Sequence, residues 1–106
     1  MPKYLIQASY NAEGLKGLQK ETASGRRAAV TKAVKGLKGK VENFYYALGE
    51  DDVVVIVDLP DNASVAALAL SASASGTVRT RTTALLTVEE TDVALKKRVG
   101  YRPPGG

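Results

Sequence analysis

Residues 53–59, VVVIVDL, constrain the fold more than any other stretch of this chain. Val53 to Val57 are β-branched without a break, and branched side chains lose freedom in a helix but pack well on a pleated sheet. Successive strand side chains point to opposite faces. A strand that is apolar in both phases therefore has two faces to bury and belongs inside a sheet, covered on both sides. Pro60 ends it, since proline donates no backbone hydrogen bond.

The neighbours that such a strand needs can be found along the sequence. Tyr4 to Tyr10 (YLIQASY) is β-rich, with Tyr4, Ile6 and Ala8 in one phase and Gln7 and Ser9 in the other. Asn11 can cap a helix over Ala12–Lys20, weakened by Gly14 and Gly17. Thr22 or Ser24 can cap the next helix, Arg26–Lys38. Its apolar stripe is Val30, Ala33, Val34 and Leu37, with Lys32, Lys35 and Lys38 opposite. Gly39 reads as its stop. Lys40–Leu48 returns to strand, and Gly49-Glu50-Asp51-Asp52 reads as the turn into Val53–Leu59. Asp61 or Asn62 then caps a helix over Ala63–Ser75. Its Ala, Ser, Leu and Val side chains allow it to lie close on a sheet, and Gly76 terminates it. Thr77–Thr87 is a fourth strand, with Arg79 and Arg81 on one face and Thr80 and Thr82 on the other. Thr87-Val88-Glu89-Glu90 is a capping box for a short last helix, Val88–Arg98. Tyr101–Gly106 (YRPPGG) cannot be helical and is either extended on a neighbour or loose.

The expected fold is therefore α+β and ferredoxin-like, β-α-β-β-α-β, with a four-stranded antiparallel sheet, helices on one face and a short extra C-terminal helix. Residues 1–98 would form the domain and 99–106 an extended tail. The face without helices must also be buried, because Val53–Val57 is apolar in both phases. A second copy of the same sheet across a two-fold axis is the simplest cover, so a homo-oligomer built as a dimeric α/β barrel, or a larger assembly, is expected. The same bare face binds single-stranded RNA in RNA-recognition domains. Those domains carry aromatic and basic residues on the third strand, and VVVIVD has neither. No nucleic-acid partner is expected.

Composition closes many chemical routes. The chain has 106 residues with no Cys and no His, which removes disulfides, thiolate sites, the commonest general base and the commonest zinc ligand. Neither a cofactor nor a metal is expected. The net charge of +4 is mild, and its clusters read as solvated helix faces. No charged-then-apolar leader opens the chain, and Val53–Val57 and Val65–Leu70 are too short to cross a bilayer. A cytoplasmic protein with no membrane partner is expected.

YLIQASY-NAEGLKGL, SGRRAAV, FYYALGEDDVVVIVDLPDNASVAALAL, SGTVRTRTTALLT and the closing EE resemble the GYD domain family over Pro2 to about Glu90. The resemblance implies a small bacterial protein of the dimeric α+β barrel kind. The family's Gly-Tyr-Asp pattern is matched by Gly49 and Asp52, while Asp51 stands at the tyrosine position. The resemblance implies no specific activity. The wider superfamily spans cofactor-free monooxygenases, isomerases, haem enzymes and sensing domains, so fold alone does not choose a chemistry.

Two adjacent aspartates in a strand face opposite ways, so Asp51 and Asp52 read as turn chemistry, with a loose Mg²⁺ or Ca²⁺ contact as the alternative. Asp58 reads as a strand end, or as a base or ligand anchor at the sheet rim. Arg26 and Arg27, at the start of the main helix, either pair with carboxylates or bind an anion. The polar strand residues Gln7, Ser9, Asn43, Tyr45, Tyr46, Arg79 and Arg81 are the ligand-binding candidates, because polar groups on an apolar sheet must find partners. A hydrogen-bonded interface with no ligand is the alternative for these residues. If the chain is catalytic, Tyr46 or Asp58 would have to move the proton. The expected function is an oligomeric module that binds or senses a small molecule. The alternative is a small cofactor-independent isomerase or monooxygenase acting on an aromatic or enolisable substrate.

Overall fold

The computed structural model describes residues 1–106. Its elements are β1 (Lys3–Tyr10), α1 (Ala12–Glu21), α2 (Ala23–Gly36), β2 (Lys40–Tyr46), β3 (Val53–Asp58), α3 (Asn62–Ala74), β4 (Val78–Leu85) and α4 (Val88–Lys96). The four strands make one antiparallel sheet in the order β2-β3-β1-β4. This is the ferredoxin-like α+β fold, with two helices in the first crossover and α4 added at the end. VVVIVD lies inside the sheet between β2 and β1, where its β-branched pattern placed it.

Alternation along the strands separates two faces. Tyr4, Ile6 and Ala8 of β1 and Val53, Val55 and Val57 of β3 point toward the helices and are buried together with Val34, Val65 and Leu59. The opposite phase (Leu5, Gln7 and Ser9 with Val54, Ile56 and Asp58) is only half-buried within one chain. Tyr4 carries a hydroxyl into the core, which donates to Asn62 Oδ1 at 2.7 Å at the start of α3. A buried polar group is thereby satisfied.

The helix starts follow the capping signals. Asn11 accepts from Gly14 N at 2.9 Å and Asp61 from Ser64 N at 2.8 Å. Thr87 and Glu90 form the reciprocal box. Thr22, not Ser24, caps α2, so that helix begins at Ala23 and ahead of the expected Arg26. Thr22 does this at φ 77° and ψ 160°, a region of backbone space that glycine usually occupies. The α1–α2 corner is therefore a strained junction.

The end of α2 differs from the sequence reading in its cause. Lys38, at φ 64°, takes the left-handed conformation, and Gly39 is needed for space. A Cβ on Gly39 would run into the Asp58 carbonyl oxygen and the Leu59 side chain, with Val34 Cγ1 at 3.1 Å. Gly14 has the same role at the other end of the sheet. There a Cβ would meet the Thr77 carbonyl and the Tyr10 ring, where α1 crosses β1 and β4.

The helix α4 ends at Lys96, short of the expected Arg98, and buries none of its residues. Val88, Val93 and Leu95 are exposed, as are Val99 and Tyr101 beyond the helix. The molecule measures 56 × 33 × 24 Å. No helix is long and apolar enough to cross a membrane.

Candidate functional site

Helix α2 packs over β2 and α3 over β4. Between them, above β1 and β3, lies a cavity of about 370 Å³, within the size range of small-molecule sites. Its floor is Ile6, Ala8, Val53 and Val55, the helix-facing phase of the two inner strands. Its walls are Ala29 and Ala33 of α2 and Ala69 and Ala72 of α3. The small side chains of α3 were expected to let it lie close on the sheet. It does lie close on β4, and the space opens on its other side, toward α2, where alanines of both helices line it.

The lining is apolar except for Arg26 and the hydroxyl groups of Ser71, Ser75, Thr77, Thr80 and Tyr10; no carboxylate lines it. Ser75 and Thr77 are committed to each other at 2.7 Å. Arg26 Nε has no exposed surface and no aligned acceptor. Glu21 Oε1 lies 3.1 Å away, close enough to pair in charge but off the N–H axis. The Arg26 Nη atoms donate no hydrogen bond to the protein. Nearby, Tyr46 donates to the Ala23 carbonyl at 3.0 Å and its ring tilts against Phe44 at 5.5 Å. Burial, and then the neighbouring Tyr46, push the Tyr10 phenol above its ordinary value, while the Arg26 charge pulls the other way. Burial likewise raises Tyr46, again opposed by Arg26. Both phenols stay protonated at neutral pH and can donate hydrogen bonds.

The candidates read from sequence do not all meet here. Tyr46 lies on the helix side, paired in register with Val53. Gln7, Ser9, Asn43, Tyr45, Arg79 and Arg81 lie on the open face. Asp58 is also on that face, held by Lys3 Nζ at 2.8 Å, so Tyr46 and Asp58 occupy opposite faces and opposite ends of the sheet. Sequence reading missed Tyr10 and the alanine walls. The signal for Tyr10 was its phase, since Tyr4, Ile6, Ala8 and Tyr10 alternate onto one face.

The acidic stretch serves as strand-end chemistry, and no group of three His, Cys, Asp or Glu side chains converges anywhere. Asp52 Oδ2 accepts from the Tyr10 backbone N–H at 2.8 Å. Its own N–H reaches the Ala8 carbonyl and its carbonyl takes the Ala47 N–H, both at 2.8 Å. It thus fastens the β2–β3 turn to the end of β1 and fixes where Tyr10 begins. Asp51 points the other way, accepting from Ser9 Oγ at 3.1 Å and from the Arg81 guanidinium. Gly49 has open space around it, and nothing in the structure requires glycine there.

A family model described as GYD domain matches residues 4–95. The chain belongs to the GYD domain family. No curated protein and no solved structure matches it. In this GYD domain Asp52 is a positioning residue that ties the β2–β3 turn to β1. Asp51 is tied to Arg81 on the open face.

That pair gives a pH signature. The Arg81 guanidinium, and after it Ser9, holds the Asp51 carboxyl below its ordinary value, against a smaller opposing effect of burial. A lowered folded-state value adds stability that is fully present above the unfolded value, about 3.9 for aspartate. That stability is lost as pH falls through the folded value. Asp51→Asn is therefore expected to lower the urea midpoint at pH 7, and the gap from wild type should narrow as pH falls below about 4. A gap that stays constant with pH would show that the ion pair does not carry the effect.

Proposed function

We propose that this GYD domain is an oligomeric module that binds or senses a small molecule. The observation that carries this reading is the cavity between α2, α3 and the sheet. It is largely apolar, has alanine walls on both helices, and has hydrogen-bond donors in Arg26 and Tyr10. Close packing is the rule in protein interiors, and a gap of this size over the two inner strands is a costly feature for a purely structural domain. A thermal-shift screen of metabolites is expected to yield stabilising ligands. A flat response across a broad library would count against the reading. Catalysis on an enolisable substrate remains a second reading, supported by the Arg26 and Tyr10 donors, which could stabilise a developing oxyanion. An enzyme would turn over a screening hit, and a sensor would release it unchanged.

The oligomer would form through the open face, on the side of the sheet away from the cavity. Leu5, Val54, Ile56, Tyr45 and Leu85 give that face an apolar centre, and Tyr45 is 64% exposed in the single chain. Lys3 is paired with Asp58 and Glu42 and Arg81 with Asp51, while Arg79 on the same face has no carboxylate partner within the chain. A second copy of the same face is the proposed cover. Light scattering at micromolar concentration is expected to give a dimer or a multiple of it. Ile56→Asp, which buries an unpaired charge in such an interface, should give a monomer. A monomeric wild type would remove the barrel from the account.

A further inference from the structure

Building on the cavity reading, we propose that the ligand is a monoanion: an apolar body carrying a single carboxylate-type oxyanion, with that group held at the Tyr10–Arg26 end. The polar groups of the cavity are distributed unequally. Its floor and alanine walls offer only hydrocarbon, with Ile6, Val53 and Val55 beneath. At one end stands the only charged side chain of the lining, Arg26. Glu21 lies 3.1 Å from Nε, and neither Nη atom donates a hydrogen bond to the protein, so the terminal fork of the guanidinium, the part that matches a carboxylate in geometry, still has donors to give. The Tyr10 phenol is a second donor, protonated and without a hydrogen bond to the protein. Two unsatisfied donors and no carboxylate in the lining select an acceptor that carries negative charge.

The same reasoning limits the ligand to one charge. A second carboxylate directed inward among Ala69, Ala72, Val53 and Val55 would meet no cation, and an unpaired buried charge is strongly disfavoured. A neutral amide of the same shape keeps the apolar contacts and loses the charge-assisted bonds. Such bonds are stronger than neutral ones by an amount that corresponds to about tenfold or more in affinity.

The test uses the full chain and three probes of one size: 2-naphthoate, neutral 2-naphthamide, and 2,6-naphthalenedicarboxylate, titrated calorimetrically at pH 7. The naphthoate should bind at least about tenfold more tightly than the amide, and the dicarboxylate should not bind measurably. Arg26→Gln should remove the preference for naphthoate over amide. Arg26→Lys, which keeps the charge and loses the fork, should fall between. The comparison of naphthoate with amide on the wild type depends on no variant, so a misfolded Arg26→Gln protein would not shield the proposal. Equal binding of naphthoate and amide would overturn the monoanion assignment while the cavity reading stands. Binding of none of the three would overturn both.

Discussion

Gly39→Ala is expected to destabilise the chain by about 3 kcal/mol, the upper part of the range for forcing atoms into a packed site. The new methyl group would meet the Asp58 carbonyl oxygen and the Leu59 side chain. Neither can give way easily. Asp58 is in register with Lys3 on one side and Lys40 on the other, and Leu59 is fully buried. In a domain of this size that loss is roughly 10–20 °C in Tm. Two other glycines separate the clash from generic glycine effects. Gly76 has φ 75° but open space around it, so Gly76→Ala should cost only about 1 kcal/mol. Gly17 lies inside α1 with open space where a Cβ would stand, so Gly17→Ala should stabilise by about 0.5–1 kcal/mol. Urea denaturation of the three variants checks the order. A Gly39→Ala protein no weaker than Gly76→Ala would show that the packing of α2 against the end of β3 has been misread.

The second large effect concerns the cavity. Ala72→Phe, on the wall formed by α3, should reduce 2-naphthoate affinity by about 100-fold, or ~2.7 kcal/mol. That corresponds to losing contact over roughly 100 Å² of apolar surface at about 25 cal/mol per Å². The folded state should tolerate the ring, because it enters space that is already there. Ala67→Phe is the control: it sits on the same helix but is exposed and does not line the cavity. It should leave binding unchanged. Equal loss in both variants would point to damage to α3 and away from occupancy of the cavity.

The fold was legible because its signals are local and reinforce one another. Alternation in YLIQASY and the double-phase apolar run of VVVIVD give strand faces. Asn11, Thr22, Asp61 and Thr87 give helix starts through short side-chain hydrogen bonds. The position of Asp52 was legible as turn chemistry, although its bond to the Tyr10 N–H depends on a strand distant in sequence. What could not be read was volume. Whether Ala29 and Ala33 sit tight on the sheet or stand back from it depends on where Ala69 and Ala72 lie on another helix. No periodicity carries that distance. The polar strand residues drew attention because polarity is visible in one dimension. The structure puts most of them on the open face, and the cavity is bounded mainly by residues chosen for what they lack.

Methyl NMR on Ile, Leu, Val and Ala groups, with 2-naphthoate titrated into the wild-type chain, tests the central claim most directly, because the two faces of the sheet alternate residue by residue. The account predicts shifts at Ile6, Ala8, Val53, Val55 and Ala72, and none at Leu5, Val54 and Ile56. Shifts confined to Leu5, Val54 and Ile56, or absent from both sets, would contradict it.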